Sequence, residues 1–172
     1  MSCALTTGFS LDCKDAIGGI KSVRFATLSD WESLDPAYAT GAVTFGSASQ
    51  VFYKYELDKE ESFFNDDPTA GSNKGTLYYV PQIQFILSKI DVAKRNEMQL
   101  LAKNRVVAIV ETREATPQYW AIGVTNGLDL ATGVVGSGTA AADLNGYTMT
   151  FNGMETDPAV NVSSGDLASI TN

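Results

Sequence analysis

The chain has 172 residues, of which 44% are hydrophobic and 19% charged, and it carries a net charge of −8 with a sequence pI near 4.4. That length and composition point to one folded domain rather than a disordered chain. The acidic balance argues against a protein that grips nucleic acid by its phosphates, which needs a basic face.

Met1 to Thr7 lacks the basic start and continuous apolar core of a signal peptide, so the expectation is a protein made and used without export. No apolar run reaches the ~18 residues of a bilayer-spanning helix, so no membrane association is expected. Residues 1–19 are small, polar and glycine-bearing and read as an extended arm, a candidate subunit contact. A first strand follows over residues 20–28, suggested by Val23 and Phe25. Residues 29–41 read as a connection in which Trp31 is a packing anchor. After a short strand at Ala42–Phe45, residues 49–58 alternate strictly: Val51, Tyr53, Tyr55 and Leu57 against Phe52, Lys54, Glu56 and Asp58. Such alternation is what a strand with one buried face requires.

Residues 59–74 read as a polar loop that includes Glu60, Glu61, Phe63, Phe64, Asp66 and Asp67. It exceeds the roughly 2–5 residues that usually join neighbouring strands, so it is expected to reach something. The sheet resumes over residues 75–90, where Pro81 marks an edge, a bulge or a break because it cannot donate to a ladder. Asp91 is a candidate N-cap for an amphipathic helix ending near Lys103, with Ala93, Leu100, Leu101 and, at the margin, Met98 on its apolar face. Residues 106–110 are apolar on both faces, which fits an interior strand. A strand over 118–124 is expected to turn at Thr125-Asn126-Gly127 and pair back through 128–130 as a hairpin. Residues 132–142, with Gly133, Gly136 and Gly138, read as a flexible loop, lacking both the lysine of a P-loop and a following helix. The closing strand places Tyr147, Met149 and Phe151 on one face and Thr148, Thr150 and Asn152 on the other, and residues 156–172 read as a loose tail or docking arm. The pattern implies a mainly β, α+β domain: an antiparallel barrel or sandwich of about seven or eight strands with one flanking helix.

The chain has no histidine and two cysteines, Cys3 and Cys13, which excludes Ser-His-Asp and Cys-His catalysis and the common zinc sites. Glu60-Glu61 and Asp66-Asp67 read as solvated loop charge, and Asp66, Asp67 and Asn73 do not match a calcium-loop spacing. No catalytic, cofactor-binding or metal-ligating residue is nominated, and an enzyme is not expected.

Several segments together resemble the tail tube proteins of tailed bacteriophages and related prophages. They are Thr7-Gly8-Phe9-Ser10-Leu11-Asp12-Cys13-Lys14-Asp15 running to Gly18-Gly19-Ile20-Lys21, then Ser88-Lys89-Ile90-Asp91-Val92-Ala93-Lys94-Arg95-Asn96. The strand at 105–110 and Ser137-Gly138-Thr139-Ala140-Ala141-Ala142-Asp143-Leu144-Asn145-Gly146-Tyr147-Thr148 complete the match. The resemblance implies a virion structural protein, assembled in the host cytoplasm, whose hexameric rings stack around a channel for DNA passage. It implies self-association, contacts with sheath, terminator, baseplate or tape-measure proteins, and transient DNA passage without specific binding. Residues 59–74 hold the place of the ring-stacking loop, and the arms at either end would extend that contact. The bore of such tubes is acidic, and Glu56 and Asp58 are the candidates to face it, although Lys54 shares their face. The alternatives are a head–tail joining, tail-terminator or capsid-decoration protein, or a small-ligand-binding barrel with Trp31, Tyr119 and Trp120 as an aromatic floor.

Overall fold

The computed structural model describes residues 7–11, 14, 16–39, 41–71 and 75–172; Cys3, Cys13 and Asn73 lie outside them. The elements in chain order are β1 (Ile20–Thr27), α1 (Leu28–Ser33), β2 (Pro36–Ala39), β3 (Ala42–Phe45), β4 (Tyr53–Glu56), β5 (Phe63–Gly71), β6 (Thr76–Ser88) and α2 (Val92–Lys103). They continue with β7 (Val106–Thr112), β8 (Tyr119–Ile122), β9 (Asp129–Gly136), β10 (Gly146–Asn152), β11 (Val160–Val162) and α3 (Ser164–Ile170). The strands form a seven-stranded sheet, β2-β3-β11-β8-β7-β1-β4, and a four-stranded sheet, β5-β6-β10-β9. The fold is therefore mainly β, as expected, in two sheets.

The strand β7 shows why two layers are needed. Val106, Ala108 and Val110 enter one core, and Val107 and Ile109 enter another. The first core lies between the sheets, where Phe25, Phe85 and Phe151 meet, the last two stacked at 6.1 Å. It takes in Tyr147, Met149 and Phe151 from β10, as the alternation of that strand predicts. The second core covers the other face of the seven-stranded sheet with Trp31 of α1, Phe52, and Leu167 and Ile170 of α3. Trp31 is fully buried, meets Phe45 and Phe52 edge-on, and donates its indole N–H to the Tyr38 hydroxyl at 3.1 Å.

The expected helix is present with its expected cap: Asp91 Oδ1 accepts from Lys94 N at 2.8 Å. Its buried side differs, however. Met98 and Leu101 are buried while Leu100 is 55% exposed and Ala93 is exposed, because the stripe that meets the sheets runs through Lys94, Glu97, Met98 and Leu101. Pro81 falls where the β6–β10 ladder breaks, between the pair Asn152↔Gln82 and the isolated bridge Tyr79↔Glu155. Its carbonyl still accepts from Gly153 N at 3.1 Å.

Four expectations are corrected. The connection at 29–41 contains α1 and β2. The turn at Asn126-Gly127 is not a hairpin: only Gly127 has a positive φ, where a type I′ turn requires two, and the chain crosses from β8 in one sheet to β9 in the other. Gly133 and Gly136 belong to the strand β9, not to a loop. Lastly, residues 156–172 are no loose tail. Val160, Val162, Leu167 and Ile170 are buried, β11 pairs with β8 and β3, and Thr171 bridges to Phe52.

Ile170 tests that last correction. Ile170→Ala opens a cavity at a fully buried site and should cost about 2–5 kcal/mol, lowering the melting temperature by roughly 2–4 °C for each kcal/mol. Thermal and urea melts check it; a loss within about 0.5 kcal/mol would fit a dangling tail instead.

Candidate assembly surface

Residues 63–71 form a strand where a loop is expected. β5 runs antiparallel to β6 in unbroken register from Phe63↔Gln84 to Gly71↔Thr76. Asn65-Asp66-Asp67-Pro68 is a poor strand sequence by propensity, and the partner strand imposes the extended form. Pro68 is tolerated because β5 is an edge. Only Glu60 and Glu61 of the nominated loop residues stay in the connection, where Glu60 takes a φ of 65°. Phe64 packs against the first core, Phe63 is partly exposed and Asp67 is exposed. Asp66 turns inward, and its Oδ2 accepts from Ala159 N at 2.7 Å, which ties β5 to the segment before β11.

β10 leaves β6 at Gln82, so the part of the hairpin from Asp67↔Val80 outward has no third strand beyond the bridge at Tyr79. It is a two-stranded ribbon that projects from the sheet and carries Leu77, 57% exposed. The segment read from sequence as a long loop is built as a hairpin.

The sheet edges differ in how they are protected. An unpaired edge invites pairing with another chain unless proline, charge or brevity blunts it. β2 opens with Pro36 and has four residues; β4 has four and carries Lys54 and Glu56; β5 has Asp66, Asp67 and Pro68. β9 has eight residues, six of them exposed, and Asp129 is its sole charge. From 130 to 142 the sequence has no Asp, Glu, Lys or Arg, and Val134 and Val135 are 65% and 57% exposed. Sequence reasoning missed this strand because its glycines suggest a loop; the signal that marks it is the run without charge.

Glu56 ends β4, an edge strand of the seven-stranded sheet, and Asp58 follows it in the connection to β5. Glu56 is paired with Lys54 at 3.1 Å with its side chain 84% exposed, and Asp58 accepts from Ser88 Oγ at 2.7 Å. Together with Lys54, Lys94 and Glu97 they line an open groove of about 600 Å³ between β4, β6 and α2. There Tyr55 donates to Glu97 at 3.0 Å, and its hydroxyl pKa is pushed up by burial and by that carboxylate. The groove mixes both signs of charge and converges on no acid–base pair. Among the described residues no group of three His, Cys, Asp or Glu side chains is placed to hold a metal, and no helix is long and apolar enough to cross a membrane. The aromatic floor does not form: Trp31 and Tyr119 pack on the second core and Trp120 on the first, on opposite faces of one sheet.

One buried ionic cluster stands beside these surfaces. A bulge in β1 between Ile20 and Ser22 lets Ile20 and Val23 both enter the first core, so that Lys21 and Ser22 both reach Glu111. Glu111 accepts from Ser22 Oγ at 2.7 Å, Lys21 Nζ at 3.0 Å and Arg24 Nη2 at 3.2 Å, and Arg24 also lies over the Tyr119 ring. Burial works to raise the Glu111 pKa, but the hydrogen bonds from Ser22 and Lys21 and the charge of Arg24 outweigh it and hold the carboxyl below its ordinary 4.5.

Comparison with known proteins adds no relative: no family model matches the chain, and no curated protein and no solved structure matches it.

The Glu111 cluster predicts a pH effect of definite sign. A carboxyl held low in the folded state takes its proton in the unfolded chain first, so its stabilisation is full above about pH 4.5 and is lost as pH falls through the folded value. Urea melts from pH 7 to 3 should show that loss in the native chain and a flatter profile in Glu111→Gln, which should also be less stable at pH 7. Parallel profiles would remove Glu111 from the account.

Proposed function

We propose that the protein is a structural assembly subunit without catalytic activity, and specifically a tail tube subunit of a tailed phage or related prophage. In this reading its copies form hexameric rings, and the rings stack around a channel for DNA in the virion tail. The observation that carries the reading is the β9 edge: long, exposed and free of charge from 130 to 142 in a chain whose other edges are blunted. An edge left in that state is a pairing surface. Pairing it with a different edge of the next copy is a heterologous contact, which closes into a ring when its rotation permits. The four-stranded sheets of successive copies would then join into one inner barrel, so the barrel belongs to the ring and not to the subunit. The projecting β5–β6 ribbon supports stacking, since it extends past the sheet and exposes Leu77. The resemblance supports the tail tube reading, and the edge and the ribbon support self-assembly as its means.

Negative-stain electron microscopy over a concentration series tests the reading. Stacked rings or tubes with a central hole are expected. Single closed rings would favour the joining or terminator role, and compact monomers at every concentration would overturn self-assembly. Val135→Lys places a charge on the bare edge and should leave the melting curve near native while abolishing rings. Replacing residues 69–78 by Asn-Gly keeps the core part of the hairpin, including Phe64, and joins Pro68 to Tyr79 by a two-residue turn. That variant should form rings that do not stack; full-length tubes from it would exclude the ribbon as the stacking element.

A further inference from the structure

The sequence contains Asn-Gly at Asn126-Gly127, Asn145-Gly146 and Asn152-Gly153. Asparagine is a thermolabile side chain. It is most so before glycine, because no Cβ hinders the approach of the next backbone nitrogen to the carboxamide carbon. That nitrogen is the nucleophile, so its own hydrogen bonding decides which of these sites can react.

The fold treats them differently. Gly146 is buried on β10, in register with Ser88 on one side and Gly136 on the other, so its backbone lies within both ladders. Gly153 donates its N–H to the Pro81 carbonyl at 3.1 Å. At Gly127 no backbone carbonyl among the described residues takes the N–H. The Glu155 carboxylate takes the two amides before it, those of Thr125 at 3.1 Å and Asn126 at 2.9 Å. The exposed Asn126 side chain is held by one hydrogen bond, from Nδ2 to the Met154 carbonyl at 2.7 Å. A single bond of that kind weights an equilibrium by roughly tenfold at most, whereas freeing Gly146 requires β10 to part from a neighbouring strand. Asn126 and Gly127 also line an open groove of about 420 Å³ with Val80, Arg105 and Met154, so water has access to them.

We propose that Asn126 is a self-modification site that converts to aspartate and isoaspartate as the folded protein ages, and that conversion unlocks the crossover from β8 to β9. Gly127 N bonds to Asn126 Cγ, the Cγ–Nδ2 bond breaks, and Nδ2 leaves as ammonia with the proton from Gly127 N. Water then opens the cyclic imide. Opening at Cγ leaves aspartate; opening at the main-chain carbonyl leaves isoaspartate, with the chain running through the former side chain. Nothing is oxidised or reduced. Either product damages the same contact. A carboxylate at 126 cannot donate to the Met154 carbonyl, and it adds a charge beside the Glu155 carboxylate. Isoaspartate also inserts a methylene into the main chain directly after the amide that Glu155 holds. That crossover delivers β9 to the edge of its sheet. Resting on the assembly reading above, the consequence is that aged subunits lose the edge pairing and assembly favours newly made chains.

Ageing the native chain in mildly alkaline buffer and mapping its peptides by mass spectrometry tests the site. Acid should appear at Asn126, part of it as isoaspartate, about tenfold or more ahead of Asn145 and Asn152. In urea all of them should convert alike. Asn145 or Asn152 converting first, or no conversion in the folded chain while the urea sample converts, would overturn the proposal. Gly127 cannot carry the control, since a Cβ there would collide with Arg105. Asn126→Gln needs a larger ring to cyclise and should stay intact. The aged native chain and fresh Asn126→Asp should both melt below the fresh native chain, while aged Asn126→Gln keeps its own fresh melting temperature. An aged chain that is converted at Asn126 yet melts as when fresh would overturn the unlocking. These readouts need no assembly and stand apart from the tube reading. In micrographs the aged native chain should form fewer rings than the fresh one; absence of rings from the fresh chain would overturn the assembly reading and its ageing consequence, and leave the modification to be decided by the peptide map.

Discussion

The constraint on which the structure depends is that β7 is apolar on both faces. A strand of that kind must have cover on each side, and no single sheet can supply both. One cover is the four-stranded sheet, which meets Val106, Ala108 and Val110 with a layer of phenylalanines. The other comes from two helices far apart in sequence: α1 supplies Trp31 and α3 supplies Leu167 and Ile170 to Val107 and Ile109. The C-terminal helix and the segment after β1 are therefore fixed to the same central strand. Both short helices begin with the same device, Thr27 accepting from Asp30 N and Ser163 from Asp166 N, which satisfies free amide hydrogens in elements too short to hold on propensity.

The corner where the sheets diverge depends on a second buried acid. Glu155 is 4% exposed, and its carboxylate accepts from Thr125 N at 3.1 Å and Asn126 N at 2.9 Å, so the crossover from β8 to β9 is held by backbone amides. Its own backbone exchanges two 2.8 Å hydrogen bonds with Tyr79. Pro81 breaks the ladder two residues away, and the chain beyond it runs on as the ribbon. One residue thus fixes both the crossing that delivers β9 to the sheet edge and the root of the projecting hairpin.

Periodicity made the core strands legible. β6, β7 and β10 follow the alternation of Ile83 and Phe85, of Val106 to Val110, and of Tyr147 to Phe151, and the α2 cap is readable from Asp91 alone. What was not legible has physical reasons. β11 has three residues, too few for a period to register, and α3 has two buried apolar residues. Their available signal was the Ser163-x-x-Asp166 spacing, matched by Thr27-x-x-Asp30. β5 reads as a loop because Asn, Asp and Pro disfavour strands on their own, and its extended form is set by thirteen-residue β6 beside it. β9 reads as a loop because glycine and alanine carry little pattern. Phe52 shows a subtler failure: strict alternation assigns it to the polar face of its strand, but the second core gives that face something to bury against, and Phe52 is fully buried. A chain read as one-faced sheets conceals any strand with two cores.

The energetics of the bare edge explain why it need not cause uncontrolled aggregation. Half of the outward-turned backbone groups of an eight-residue strand are donors and half acceptors, about eight hydrogen bonds at most, each worth roughly 0.5–1.5 kcal/mol net. The sum, about 4–12 kcal/mol, is of the same order as the 4–15 kcal/mol lost in rigid-body freedom when two chains associate. One edge contact is close to break-even. Charge tilts that balance further, since a chain with 20 acidic and 12 basic residues repels its copies everywhere except where charge is absent. Pairing through β9 would then persist only when a second contact shares the association cost, as ring closure would for the last subunit of the proposed ring and as the ribbon would between rings. An edge of this strength would suit the proposed assembly, in which a single contact is near break-even and several copies closing together are needed to hold it.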